Sequence, residues 1–207
     1  MAKTLDSIDE RLGEFIGNQR IFFTASAAAD GRVNVSPKDT ASLRILNELT
    51  VVYLDQTGSG NETAAHVRAS GGRLTLMFCA FEGAPMILRL YGTAKVVARK
   101  GGEYAELLGS AFGGVEPPGA RQMIVLYVDR VQTSCGYGVP LFEYAGERDT
   151  LRRWAISKGE SGLKDYRRQK NVTSIDGMPT GLVDPDDADE ATGTKSAQVG
   201  SGTRMEA

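Results

Sequence analysis

Leu5, Ile8, Leu12, Phe15 and Ile16 recur at three- and four-residue intervals, which predicts an amphipathic helix near the start of the chain. Ser7 with Glu10 fits a capping box at its front, and Thr4 is an alternative start. The period then changes to two. Residues 20–37, RIFFTASAAADGRVNVSP, read as strand, Asp30-Gly31 turn and strand. Val33 and Val35 alternate with Asn34 and Ser36, and Pro37 is expected to end the second strand. ELTVVYLD at 48–55 is a further strand, followed by the small and polar run QTGSGN and a short helix over 62–69. GRLTLMFCAF and MILRLYGTAKVVAR are two strands joined by EGAP, again a hairpin. Residues 102–112 predict a helix, 113–120 a loop and 121–135 a long strand broken by GYGVP. From Arg148 the pattern is one or two polar helices interrupted at Gly159 and Gly162.

Six or so strands joined mostly by short turns imply antiparallel pairing, and a sheet of that size closes most simply into a barrel with helices at its ends. A Rossmann domain is excluded, because long helices do not alternate with the strands and no G-x-G-x-x-G follows the first one. The expected organisation is a barrel domain over 1–146, a helical extension over 147–181 packed on it, and a disordered acidic tail over 182–207.

Composition changes this picture little. The 207 residues carry a net charge of −2, which argues against a nucleic-acid partner. From Leu182 onward six acids face two bases, a balance of −4, so the preceding body is +2 and weakly suited to a small anion. No apolar run approaches the roughly 18–20 residues that cross a membrane, and the N-terminal stretch has no apolar h-region of a signal peptide. Two cysteines make no disulfide framework, and a cytoplasmic protein with reduced thiols is expected.

The candidate chemistry sits where the third strand meets the short helix. Ser59 with Glu62 satisfies a capping box, and Asn61 is an alternative cap. The same stretch can cradle a phosphate, since a helix front presents unpaired N–H groups and partial positive charge, with Asn61 and Thr63 as donors. No Lys or Arg lies between Asp55 and His66, so a cation would have to come from elsewhere. Lys38, just beyond Val35, Ser36 and Pro37, is the candidate; the plain alternative is a solvated loop lysine. His66 lies inside the predicted helix and reads as a packing residue more readily than a base. Cys135 reads as an inert thiol, Trp154 as a packing anchor, and Tyr137 as part of a ligand pocket or a dimer seam. DPDDADE lacks the glycine and ligand spacing of a calcium loop, and no metal-ligand cluster, nucleophile triad or P-loop is present.

GRVNVSPKD at 31–39, VVYLDQTGSGNETAAHVRASGGRLTLMF at 51–78 and ILRLYGTAKVV at 87–97 together resemble the pyridoxamine 5′-phosphate oxidase-like family of flavin proteins, over residues 15–139. SCGYGVPL at 134–141 is similar to one branch of it. The resemblance implies a mainly β, antiparallel split β-barrel of the FMN-binding type with flanking helices, forming a homodimer with FMN at the subunit interface. Val35, Ser36, Pro37 and Lys38 would border the ring and phosphate, and Thr57, Ser59, Asn61 and Thr63 would supply further phosphate contacts. Where the oxidase itself carries basic residues at the helix start, Glu62 and Thr63 stand here. Its substrate-binding basic and His residues have no counterparts, so pyridoxamine phosphate oxidation is not expected. The implied function is an FMN-dependent oxidoreductase acting on a small molecule. The alternatives are a non-catalytic flavin or deazaflavin carrier and a split-barrel dimer that has lost its cofactor.

Overall fold

The computed structural model describes residues 2–69 and 71–182. The expected acidic tail therefore falls almost wholly outside the described residues. In chain order the elements are β1 (Lys3–Leu5), α1 (Glu10–Asn18), β2 (Ile21–Ser26), β3 (Asn34–Asp39), a 3-10 turn (Thr40–Ser42), β4 (Leu43–Asn47), β5 (Thr50–Gln56), α2 (Glu62–Ala69), β6 (Arg73–Cys79), β7 (Ile87–Ala98), α3 (Gly102–Phe112), β8 (Ala120–Ser134) and α4 (Thr150–Lys170). The strands form one antiparallel sheet in the order β3-β2-β6-β7-β8-β5-β4, and β1 adds to the far end of β8. Because β3 and β4 follow one another in sequence yet do not pair, the curled sheet is a split barrel, open along the seam between β3 and the β4–β5 pair.

Two strands escape the sequence pattern. β1 has three residues and sits where the helix was expected to begin, and β4 buries only Leu43, so neither shows a clean alternation. Asp9, not Ser7 or Thr4, caps α1: its carboxylate accepts the Leu12 N–H at 2.8 Å. Replacing Asp9 by Ala is expected to cost about 1 kcal/mol, read as a shift in the urea midpoint, while Ser7→Ala should change nothing. Pro37 does not end its strand, because β3 runs on to Asp39 with Pro37 opposite Phe23. An edge strand tolerates a missing N–H on its outer side.

The core follows from the alternation. Val51 and Tyr53 of β5 point into the barrel with Phe22, Leu76, Phe78, Leu90 and Ile124, and α1 plugs one end with Leu12 and Ile16. Val52 and Leu54 point the other way, onto Tyr104 of α3 with Met123 and Val125. Burial on both faces explains why VVYL is continuously apolar. Gly92 sits at a bulge where β7 meets β8; a Cβ there would lie 1.9 Å from the Tyr127 carbonyl oxygen, so only glycine fits.

α4 breaks at Gly159, whose φ is 63°. Arg99, just past the end of β7, holds it there, bonding Glu116 and, at 3.0 Å, Glu160, while Trp154 packs edge-on against Tyr166 at 5.0 Å. Among the described residues no helix is long and apolar enough to cross a membrane.

Candidate functional site

The alternation of β3 sends Asn34, Ser36 and Lys38 inward and leaves Val35 and Pro37 outward. Lys38 is thereby aimed across the open seam. Its Nζ donates to Asp55 Oδ1 of β5 at 2.8 Å, and the Tyr53 ring lies beneath it at 5.8 Å. Asp55 is buried, and its Oδ2 accepts from Arg121 Nε at 2.8 Å and Gln122 Nε2 at 2.9 Å, both at the start of β8. Burial alone pushes the Asp55 pKa up, but Arg121 and Lys38 more than reverse this and hold the carboxyl well below the usual range. The Tyr53 phenol moves the opposite way, raised by burial and by the Asp55 charge. Its hydroxyl lies near Thr24 and Thr63 without a hydrogen bond of good geometry.

Asn61 stands at the N-cap of α2, with its carbonyl accepting the Ala65 N–H at 3.3 Å. Its side chain does not cap. Oδ1 accepts from Gln122 at 2.7 Å, and Nδ2 donates to the Asn171 carbonyl at 3.3 Å. Neither does Glu62 fold back on Ser59, since both its oxygens accept the Ile175 N–H at 3.1 Å. The capping-box reading is thus replaced by a tertiary tie to the segment after α4. That segment is anchored at Asn171, which is fully buried. Its Oδ1 accepts from Arg121 Nη1 at 2.9 Å, its Nδ2 donates to the Gly58 carbonyl at 3.0 Å, and its carbonyl also accepts from Thr180 at 2.6 Å. Arg167 of α4, 3% exposed, donates to Thr57 Oγ1 at 3.5 Å.

Of the residues expected from sequence, Lys38, Thr57 and Asn61 come together in this corner. Ser36 and Thr63 belong to an adjoining chain: Ser36 Oγ donates to Asn34 Oδ1 at 2.9 Å, and Asn34 Nδ2 donates to Thr63 Oγ1 at 3.2 Å and Ser26 Oγ at 3.3 Å. Ser26 Oγ in turn lies 3.1 Å from Nδ1 of His66, which is buried within α2. Val35 and Pro37 face outward, and Ser59 is exposed. Val33 and Val35 leave an apolar strip on the β3 edge, 69% and 60% exposed. Asp55, Arg121, Gln122, Arg167 and Asn171 were not expected from sequence. Arg121 of β8 and Arg167 of α4 bring further cations to this corner from distant parts of the chain, and no local spacing announces them.

Two open clefts of about 400 and 410 Å³ lie outside the Lys38–Asp55–Arg121 corner, the second bordered by Ser26 and Val33. One is between α1 and the 39–45 segment, with Arg20 and Arg44 in its wall; the other runs along β2, β6 and β7. Cys135 and Tyr137 are exposed, whereas Cys79 is buried and its thiol pKa is raised by that burial.

A family model described as pyridoxamine 5′-phosphate oxidase matches residues 8–135. A curated relative from Aspergillus flavus, the pyridoxamine 5′-phosphate oxidase family protein ustO, is 36% identical over 192 residues, covering 84% of this chain and 76% of the relative. Among solved structures, HupZ of Group A Streptococcus is 21% identical, covers 60% of this chain and 91% of its own, and has a TM-score of 0.46. An FMN-binding protein from Syntrophomonas wolfei is 12% identical, with coverages of 58% and 82% and a TM-score of 0.42. The arrangement of strands around an open seam and the match over 8–135 agree, and the chain belongs to the pyridoxamine 5′-phosphate oxidase family.

Proposed function

We propose that this chain binds a flavin nucleotide, FMN, as a homodimer, and that it is an oxidoreductase acting on a small molecule. The observation that carries the reading is the seam corner: Lys38 and Arg121 converge on the one carboxylate of Asp55, beside the loop that precedes α2. A partly buried excess of positive charge suits a phosphate monoester. The exposed Val33–Val35 strip next to it suits the flat apolar face of an isoalloxazine ring, and a second copy would cover it. Lys38 would meet the phosphate, with Thr57 and Asn61 at the loop; Asn34, Ser36 and Thr63 would fix the strand that borders the ring. Bound flavin supplies the hydride or electron chemistry, so the chain needs no acid–base set of its own.

The purified protein is expected to carry, or to take up from added FMN, the visible absorbance of an oxidised flavin. Its bleaching by NAD(P)H or a candidate substrate separates an enzyme from a carrier. Deazaflavin, with the same phosphate end, is distinguished by its own spectrum. Lys38→Ala should weaken FMN binding by about 1.5–3 kcal/mol, the scale of a charge-assisted hydrogen bond. An unchanged dissociation constant in a fluorescence titration would take Lys38 out of the site.

A second reading is a dimer that has lost its cofactor. What favours it is the segment after α4, which already bonds Gly58, Asn61 and Glu62 around the front of α2. A colourless protein that leaves FMN and deazaflavin fluorescence unaltered would decide for it.

A further inference from the structure

The charge balance at the seam raises a question that residues 8–135 do not answer. Lys38 and Arg121 exceed Asp55 by a single positive charge, whereas a phosphate monoester carries about two negative charges at neutral pH. A further cation beside the 57–61 loop is Arg167, which lies outside the matched family region, on α4. Its placement is specific. Arg99 fixes α4 at Glu160, next to the break at Gly159, and the half-helix beyond carries Leu163 and Arg167 into buried positions. Asn171 then ends the helix with its N–H on the Arg167 carbonyl at 2.8 Å, and its side chain joins Arg121 to the Gly58 carbonyl. One residue therefore sets the spacing between the two guanidinium-bearing elements and the 57–61 loop. Arg167 meets that loop at Thr57. A guanidinium has five N–H donors in a rigid fork, so it can serve Thr57, other neighbours and a phosphate oxygen together. In a water-poor corner such a contact is stronger than at the surface.

We propose that Arg167, held in register by Asn171, binds the phosphate-monoester end of the cofactor, so that the C-terminal helix is part of the binding site and not an appendage. This rests on the phosphate corner put forward above. It also gives the helix a functional consequence: binding and docking of α4 are linked, each strengthening the other.

The test compares FMN with riboflavin, which lacks the phosphate, by flavin fluorescence titration of the full chain. Inorganic phosphate is titrated in parallel by thermal shift. Wild-type protein is expected to prefer FMN to riboflavin and to be stabilised by phosphate. Arg167→Met should weaken FMN about ten- to a hundredfold, leave riboflavin unchanged and abolish the phosphate shift. Arg167→Lys should fall between, and guards against a simple folding defect. An Arg167→Met protein whose FMN and riboflavin affinities fall together, or whose FMN affinity is unchanged, overturns the assignment. Wild-type protein that ignores both flavins yet shows an Arg167-dependent phosphate shift keeps the anion site and removes the flavin reading. Wild-type protein that responds to neither flavin nor phosphate overturns the assignment itself.

Discussion

Replacing Asp55 by Asn is expected to destabilise the fold by about 3–5 kcal/mol, the usual cost of breaking a buried ion pair from one side. The asparagine is nearly isosteric, so packing is preserved and the loss isolates charge. Its amide cannot accept at both positions: Lys38 and Arg121 each donate to a different carboxylate oxygen, and Gln122 adds a third donor. Two cations then lie close together without their anion, and an amide N–H faces another donor. Urea denaturation with coincident fluorescence and circular dichroism measures the loss; a difference under about 1 kcal/mol would mean that solvent reaches the corner freely. The pH dependence has a definite sign. The folded-state pKa lies below the ordinary carboxylate value, so this stability is fully present above about pH 4 to 5 and drains away as the pH falls toward the folded value. The Asp55→Asn protein lacks that contribution, and its stability should fall less steeply between pH 5 and pH 3 than that of the wild type.

Phe22→Ala is expected to cost a similar amount, about 3–5 kcal/mol, by a different route. Phe22 is fully buried on β2, edge-on to Tyr53 at 5.6 Å and stacked on Phe78 at 5.7 Å. Its removal opens a void under Tyr53, the ring on which Lys38 rests. The rigid strands on either side cannot collapse into that void, because β2 is fixed by β3 and by β6. Phe22→Leu fills most of the space and should lose less than half as much. If Phe22→Ala proved as stable as Phe22→Leu in denaturant titration, the aromatic cluster would not be what supports the seam.

The strands β2, β5, β6, β7 and β8 are legible because their alternation or continuous apolar character reflects burial on one face or two. The bounds of α2 are legible because a glycine-rich loop must end somewhere, and Glu62–Ala69 carries no breaker. β1 and β4 are not, since short edge strands bury too little to mark the sequence. The site divides the same way. Lys38 is visible from its place on a strand with a polar face. Arg121, Arg167 and Asn171 are not, because the partners that bring them to this corner are 50 to 113 residues away and chosen by tertiary geometry. Glu62 illustrates the limit: its spacing from Ser59 fits a local cap, yet it bonds the backbone of Ile175, a partner no local pattern supplies.

The open seam has a mechanical consequence. Elsewhere around the barrel, widening the wall means tearing a backbone ladder, but among the described residues β3 has no strand pairing with β5 across the seam and reaches it through Lys38 and Asp55. Parting that slit costs one ammonium–carboxylate contact and leaves the strand pairings of β2 with β3 and of β5 with β4 and β8 intact.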